Sequence, residues 1–371
     1  MEEFRRDRLT WLGYALLAWF AYLQAVPGLV VPHLRDELAI GYTTGGFHVA
    51  GFALGTIFAG IAATGLEARR GRKALLWGSA ALMAIGFTGL TLARTPVLTI
   101  GSLVIGGMLL ITVQALLADH HPRNRAVALT EANAFASGAY VLLVGLLSLS
   151  AAVGLGWRAP VLVSFAVPLL AFTRTRATAV EAPVRAHEHG GRLQKVFFIA
   201  AAMMFCTVAA EWCVTAWGAS FAEEAADVSA DTAVSLMFGY FGGSLLGRTL
   251  GSRLARRHSA ARLLGSALAV AAVGFAILWP AASAPQTLAG LVVIGAGLGS
   301  LFPFSLAVTV ALVPERVQLA SSRAVLAGSC AVLIAPLTIG ALADTTSITS
   351  ALLVVPVMLA LAASALYATR A

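Results

Sequence analysis

Twelve long apolar stretches divide this chain of 371 residues, at 10–31, 43–65, 74–93, 97–118, 127–152, 158–174, 195–221, 232–252, 261–280, 286–312, 317–342 and 347–369. A helix of about 20 apolar residues crosses the hydrocarbon core of a bilayer. Lipid offers no partner to backbone N–H and C=O groups, so a crossing segment must satisfy them internally. Composition points the same way: 59% of the residues are hydrophobic and 11% charged, against about 25% charged in a soluble domain. The expectation is an all-α integral membrane protein with twelve transmembrane helices.

Charge then orients the spans. Counting Lys and Arg in alternate gaps puts 22 on one side and three, Arg35, Arg94 and Arg158, on the other. Cytoplasmic loops retain basic residues, so the termini are expected in the cytoplasm. The net charge of +8 sits in short loops beside apolar spans. Topology and anionic inner-leaflet lipid account for it, and no basic patch interleaved with aromatics points to nucleic acid. Cys206, Cys213 and Cys330 all lie in apolar spans, which fits packing residues and gives neither a disulfide framework nor a zinc spacing. The run 10–31 exceeds a signal-peptide core, so it reads as a retained first helix.

One gap is long: TRTRATAVEAPVRAHEHGGRLQK, from Thr173 to Lys195, is basic and polar. It divides the chain into an N-terminal six-helix bundle, 1–174, a cytoplasmic central loop, 175–194, and a C-terminal six-helix bundle, 195–371. The halves resemble each other. LVIGG at 103–107 pairs with VVIGA at 292–296, Arg69-Arg70 before GSA at 78–80 with Arg256-Arg257 before GSA at 265–267, and Pro122, Glu131 and Ser137 with Pro314, Arg323 and Ser329. Such pseudo-symmetric repeats characterise secondary transporters. The 36 glycines predict close helix packing. Pro27, Pro168, Pro303, Pro336 and Pro356 predict kinks within spans.

The six-plus-six layout with a basic central loop resembles the major facilitator superfamily. So does GLEARRGRKALL at 65–76, where Arg69, Gly71, Arg72 and Lys73 match the basic end of that family's second–third loop signature. The signature's acid departs: Ala68 takes its place, with Glu67 one residue early. GRTLGSRLARR at 247–257 is similar to the family's second copy, and GAGLGSLFP at 295–303 to a glycine-rich run ending in Phe-Pro. The resemblance implies a transporter in two halves, with substrate bound between them. It also implies that helix five faces helix eight and that helix two faces helix eleven. The fifth helix, ANAFASGAYVLLVGLL, lacks the Gly-Pro pair of drug–proton antiporters. The first span carries Gln24 where fucose-type symporters carry an acid.

An ionisable group inside the hydrocarbon costs at least about 2.5–3.5 kcal/mol and marks a functional position. Glu211, in AAEWCVTAWG beside Trp212 and near Trp217, is the candidate for coupling or substrate binding. Gln24, Gln114, Asn133 and Tyr240 are lesser cavity candidates, with His48 and Tyr140 beside them, although for any single one interhelical hydrogen bonding is the better explanation. The implied helix pairings suggest two cytoplasmic gates, Glu131–Arg248 and Glu67–Arg323, with Arg69, Gly71 and Arg72 of the signature loop as further gating residues. His120, His121, His187 and His189 read as solvated loop residues, and no metal set is assigned. No cofactor, no P-loop and no nucleophile–base constellation is found, so an ATP-driven pump or an enzyme is not expected.

The expected function is secondary active transport of a small molecule by alternating access, coupled to protons, in the cell inner (plasma) membrane. Membrane lipids are the expected surroundings and the working form a monomer. Tryptophans and few fixed charges suggest a neutral, weakly polar or cationic substrate. Toxic-compound efflux by proton antiport and a non-transporting, transporter-like sensor are the alternatives.

Overall fold

A computed structural model describes residues 6–107, 110–121, 124–178, 180 and 194–369. Most of the central loop, with His187 and His189, lies outside the described residues, as do Pro122 and Arg123. Helices account for the apolar stretches, and no strand occurs among the described residues. In chain order they are α1 (Arg8–Leu38), α2 (Tyr42–Arg70), α3 (Arg72–Leu92), α4 (Pro96–Gly106), α5 (Leu110–His120), α6 (Arg125–Ala152), α7 (Arg158–Val163) and α8 (Ala166–Thr175). The second set is α9 (Lys195–Ala226), α10 (Ala230–Leu254), α11 (Ala260–Leu278), α12 (Ala284–Leu298), α13 (Leu301–Ala311), α14 (Val317–Thr345), α15 (Ile348–Ala351) and α16 (Val354–Ala368). Among the described residues, nine helical runs are long and apolar enough to cross a membrane. α10 has the length but not the apolarity, because Asp231, Arg248 and Arg253 lie along it.

Local chemistry sets the ends. Gly71 separates α2 from α3 at φ 79°, a left-handed value that a side chain would strain. Asp227 closes α9 in the left-handed region, and the Ser229 hydroxyl accepts the Thr232 N–H to start α10, as N-caps do. Three apolar stretches are each broken in two at a proline. Pro168, Pro303 and Pro356 are the third residues of α8, α13 and α16. A proline has no N–H for the carbonyl four residues back, so the helix upstream ends there.

The described chain divides into two compact units, one of Met1–Pro27 with Gly51–Ala186 and the other of Gly28–Ala50 with His187–Ala371. The hairpin end of α1 and α2 thus packs with the second unit, although its sequence belongs to the first half. Gly28 lies against the α9 backbone at Thr215 and Ala216, and Gly46 and Gly340 bring α2 and α14 together. The juxtaposition of the second and eleventh spans that the family resemblance implies is present here.

Inside each unit the same glycine contacts recur. A Cβ on Gly55 would sit 2.0 Å from the Val104 carbonyl oxygen, and one on Gly243 2.2 Å from that of Val292. Gly107 and Gly295 approach the carbonyls of Phe52 and Tyr240, each at 2.2 Å, and Gly86 and Gly274 approach the backbone N of Gly106 and Ile294. Every glycine and every partner in these pairs is 188 residues from its counterpart. The duplication is therefore real at the level of backbone contact. Its register corrects the alignment of LVIGG with VVIGA by one residue, because Gly107 corresponds to Gly295 and not to Ala296.

A side chain at these points collides with backbone, which cannot give way as a flexible side chain can. Gly55→Ala and Gly243→Ala should each cost about 1–3 kcal/mol and lower the thermal midpoint in detergent. Gly242→Ala, with nothing within 4 Å of its added Cβ, should be neutral or mildly stabilising. Equal losses at all three positions would contradict the packing argument.

Candidate functional site

The α9–α10 hairpin holds two opposite charges at one level. Glu211 lies sixteen residues before Asp227 and Arg248 nineteen after Ser229. Residues nearly equidistant from the turn of an antiparallel pair face each other, and Arg248 Nη2 donates to Glu211 Oε1 at 3.2 Å. The pair is mostly enclosed, with the Glu211 side chain 14% and the Arg248 side chain 28% exposed. Arg248 has a second anchor: its Nε donates to the Gly299 carbonyl at 2.7 Å. Gly299 is four residues before Pro303, so its carbonyl has no helical donor. The break between α12 and α13 thereby presents an acceptor where the guanidinium arrives. Close packing permits this, since a Cβ on Gly247 would lie 2.1 Å from the Ala296 carbonyl oxygen.

The backbone around Glu211 is tied as well. Thr215 Oγ1 donates to the Glu211 carbonyl at 2.8 Å, and the Tyr240 hydroxyl lies 2.8 Å from Thr215 Oγ1 and 3.2 Å from that carbonyl. Tyr240 is 2% exposed. It therefore steadies the turn that carries Glu211 and presents no hydroxyl to an open cavity. Trp212 is half-buried. Trp217 departs from the aromatic wall expected of it: its ring is fully buried, and Nε1 donates to the Pro336 carbonyl on α14 at 2.9 Å. Six residues along a helix turn it well away from the face of Glu211.

Each acid expected in a cytoplasmic gate has a partner within its own unit. Arg6 clasps Glu131 with Nε at 2.9 Å and Nη2 at 2.7 Å, and the Tyr14 hydroxyl donates at 2.9 Å. Arg248, the expected partner of Glu131, is instead bound to Glu211. Glu67 accepts from Arg72 Nε, and Asp119 on α5 accepts from Arg72 Nη2 at 2.7 Å. Arg72 is 4% exposed, so two carboxylates balance its buried charge, as burial of a charge demands. Arg323, the expected partner of Glu67, is exposed on α14 and makes no hydrogen bond or ion pair with a described residue. Arg69 is exposed as well. The sequence does not single out Arg6 and Asp119, because the helix pairings that the family implies point Glu131 and Glu67 towards other partners.

The major facilitator superfamily model matches residues 10–223 and 196–371. The chain belongs to that superfamily. No curated protein matches it. The fold of this superfamily member is similar to a bacterial homolog of the human lysosomal transporter Spinster in an inward-facing, occupied conformation. The TM-score is 0.78 at 14% identity, over 99% of this chain and 98% of that one. It is also similar to the E. coli fucose:proton symporter FucP, with TM-score 0.64 at 17% identity, over 97% and 98%.

A second polar cluster of this superfamily member closes the hairpin end of α1 and α2. Asp344, near the end of α14, accepts the backbone N–H groups of Tyr42 and Thr43 at 2.7 and 2.8 Å. These are the orphan donors at the start of α2, and the helix dipole favours an anion there. The Arg35 guanidinium lies 3.5 Å over the Tyr42 ring, whose hydroxyl donates to Glu224 at 3.0 Å. His33 Nε2 is 2.9 Å from Asp231. None of these residues stands out in the sequence, because each is an ordinary loop-proximal polar residue until α2, α9, α10 and α14 converge. The remaining cavity candidates are dispersed. Gln24 accepts from the Tyr140 hydroxyl at 2.8 Å, Asn133 donates to its own helix at the Leu129 carbonyl, His48 is buried against the Thr44 carbonyl, and Gln114 is exposed.

His120 and His121, expected as solvated residues, meet Asp7 just ahead of α1. His120 Nε2 is 2.7 Å from Asp7 Oδ2, and Thr10 Oγ1 touches both Asp7 Oδ1 and His121 Nε2. Burial first, and then the neighbouring His120, hold the His121 pKa below its ordinary 6.5, with Asp7 opposing. The unfolded chain therefore takes up this proton more readily, and stability falls as pH drops through about 6.5. The loss of thermal midpoint between about pH 7.5 and about pH 5.5 should be about 1–2 °C smaller in His121→Gln than in the parent. An identical loss in both proteins would contradict this.

Proposed function

We propose that this chain is a secondary active transporter that moves a small molecule across the cell inner (plasma) membrane by alternating access, with proton coupling through Glu211 and Arg248. The supporting observation is the enclosed ion pair itself. An acid and a base held 3.2 Å apart on neighbouring helices form a group with two states. Ionised, Glu211 neutralises Arg248 and ties α9 to α10. Protonated, it releases Nη2, while Nε stays on the Gly299 carbonyl. A proton thus changes which contacts the guanidinium makes, and differential contacts of this kind bias a two-state equilibrium. Removing one partner of a buried pair costs about 3–5 kcal/mol because the other charge stays buried, so a proton taken up here is felt by the helices.

Twelve crossings, with both termini in the cytoplasm, belong to this proposal, as does function as a monomer among membrane lipids. The signature-loop residues Arg69, Gly71, Arg72 and Glu67, together with Glu131 and Arg323, are assigned to the gating side. The Arg72 cluster and the Arg6–Glu131 clasp then supply contacts that exchange when the transporter changes state. The polar cluster around Asp344 and Tyr42 is suited to repeated release because it consists of exposed hydrogen bonds. Exposed polar contacts of this kind are individually weak, at about 0–1 kcal/mol.

Proteoliposomes with an imposed pH gradient test the proposal. Screened against metabolites and toxic cations, the parent protein should show proton-driven flux of at least one compound. Glu211→Gln should lose gradient-driven accumulation by at least about tenfold while keeping counterflow exchange. Flux unaffected by the substitution would refute coupling at Glu211. Absence of flux for every compound with well-folded protein would favour the sensor reading.

A further inference from the structure

The first unit carries a groove that the transport reading does not use. It has a volume of about 660 Å³ and runs between the start of α1 and α8. Its walls are two matching stripes, Arg8, Trp11, Leu12 and Ala15 on α1, and Val167, Leu170, Ala171 and Arg174 on α8, with Thr175 next to the last. Each stripe has positions i, i+3, i+4 and i+7, one face of a helix. The charge lies at the first position of the α1 stripe and at the last of the α8 stripe. The first helix and α8 run antiparallel, since Trp19 and Tyr22 further along α1 meet Ser164 and Pro160 upstream of α8. The two guanidiniums therefore fall towards one end of the groove, with Thr175 beside them, and carbon lines the rest.

The arginines are uncommitted. Neither Arg8 nor Arg174 makes an ion pair or side-chain hydrogen bond with a described residue, and both are exposed. Two carboxylates of this part of the fold are engaged elsewhere, Asp7 with Thr10 and His120, and Glu131 with Arg6 and Tyr14. The apolar wall is uncovered too, with Trp11 49% and Leu170 54% exposed. A membrane protein leaves such a surface to lipid. Cationic pockets beside apolar helix faces attract anionic headgroups, and tryptophan favours the depth of the headgroups.

We infer that this groove is a binding site for an anionic phospholipid, with the headgroup phosphate between Arg8 and Arg174 and an acyl chain along Leu12, Ala15, Val167 and Leu170. Charge complementarity selects this occupant over a neutral lipid. It also ties α1 to α8, the first and last helices of the first half, through the lipid.

The test is thermal unfolding of purified full-length protein in detergent with added phosphatidylglycerol, phosphatidylcholine of the same acyl chains, or sodium phosphate. Phosphatidylglycerol should raise the midpoint by about 3 °C or more, and the other two should leave it unchanged. Arg8→Gln with Arg174→Gln should abolish the shift. Arg256→Gln with Arg257→Gln, which removes equal charge from the exposed α10–α11 turn, should keep it. Ala171→Phe, which fills the groove and leaves both arginines, should also abolish it, so a mere surface-charge effect is separated from a site. An equal shift with phosphatidylcholine, a shift with phosphate alone, or a shift that survives Ala171→Phe would overturn the inference. So would loss of the phosphatidylglycerol effect in the Arg256/Arg257 control. A lipid-independent fall of the midpoint in Glu2→Gln with Glu3→Gln, matched by the Arg8/Arg174 variant, would assign the groove to the chain's own N-terminal acids instead.

Discussion

Close backbone approach at glycine is the constraint on which the rest of this molecule depends. Lipid tails are as apolar as leucine, so helices in a membrane gain little from burying apolar side chains against each other. They gain from van der Waals contact at short range, and that needs positions with no side chain. Gly55 on Val104, Gly107 on Phe52, Gly243 on Val292 and Gly295 on Tyr240 supply it, each so close that an added Cβ would lie 2.0–2.2 Å from a carbonyl oxygen. The same seam occurs in both units at one fixed spacing, so one packing solution was used twice.

The geometry of the Glu211–Arg248 pair follows from that seam. Because α10 lies so close to α12, the break ahead of Pro303 falls within reach of α10. The carbonyl that proline leaves without a donor is then taken by Arg248. Arg248, fixed from that side, meets Glu211 on α9. A guanidinium has donors in a rigid fork and can serve both acceptors at once. A lysine carries its three donors on one compact, flexibly held head and lacks that spread, rigid fork. The same packing that excludes lipid from between the helices thus makes an intramembrane charge pair tolerable.

Much of this is legible in the sequence and some is not, for identifiable reasons. Apolar length reveals the helices, and the Gly-Arg-Lys run at 71–73 reveals the superfamily. Glu211 stands out because an acid in an apolar run needs a reason. Its partner is harder: counting residues from the α9–α10 turn places Arg248 at its level, whereas the helix pairings of the superfamily point Arg248 towards Glu131. Trp217 reads as a cavity wall in the sequence, although its N–H finds the Pro336 carbonyl once α9 and α14 meet. Asp344, Tyr42 and Arg35 are invisible there, since long-range convergence creates their cluster and no local pattern announces it. Repeat matching by letters gives offsets of 187, 189 and 192 in an Ala- and Gly-rich chain. Backbone contacts give one offset of 188, because distances do not share the ambiguity of common residues.

Proton coupling at this pair requires that Glu211 change protonation in the folded protein. Infrared difference spectroscopy of reconstituted protein, cycled between neutral and mildly acidic pH, reads this directly through the carbonyl stretch of a protonated carboxyl. The expected result is a band that appears on acidification in the parent protein, is missing in Glu211→Gln, and shifts in Arg248→Lys. A band unchanged by Glu211→Gln, or no pH-dependent band in the parent, would contradict proton carriage at this pair.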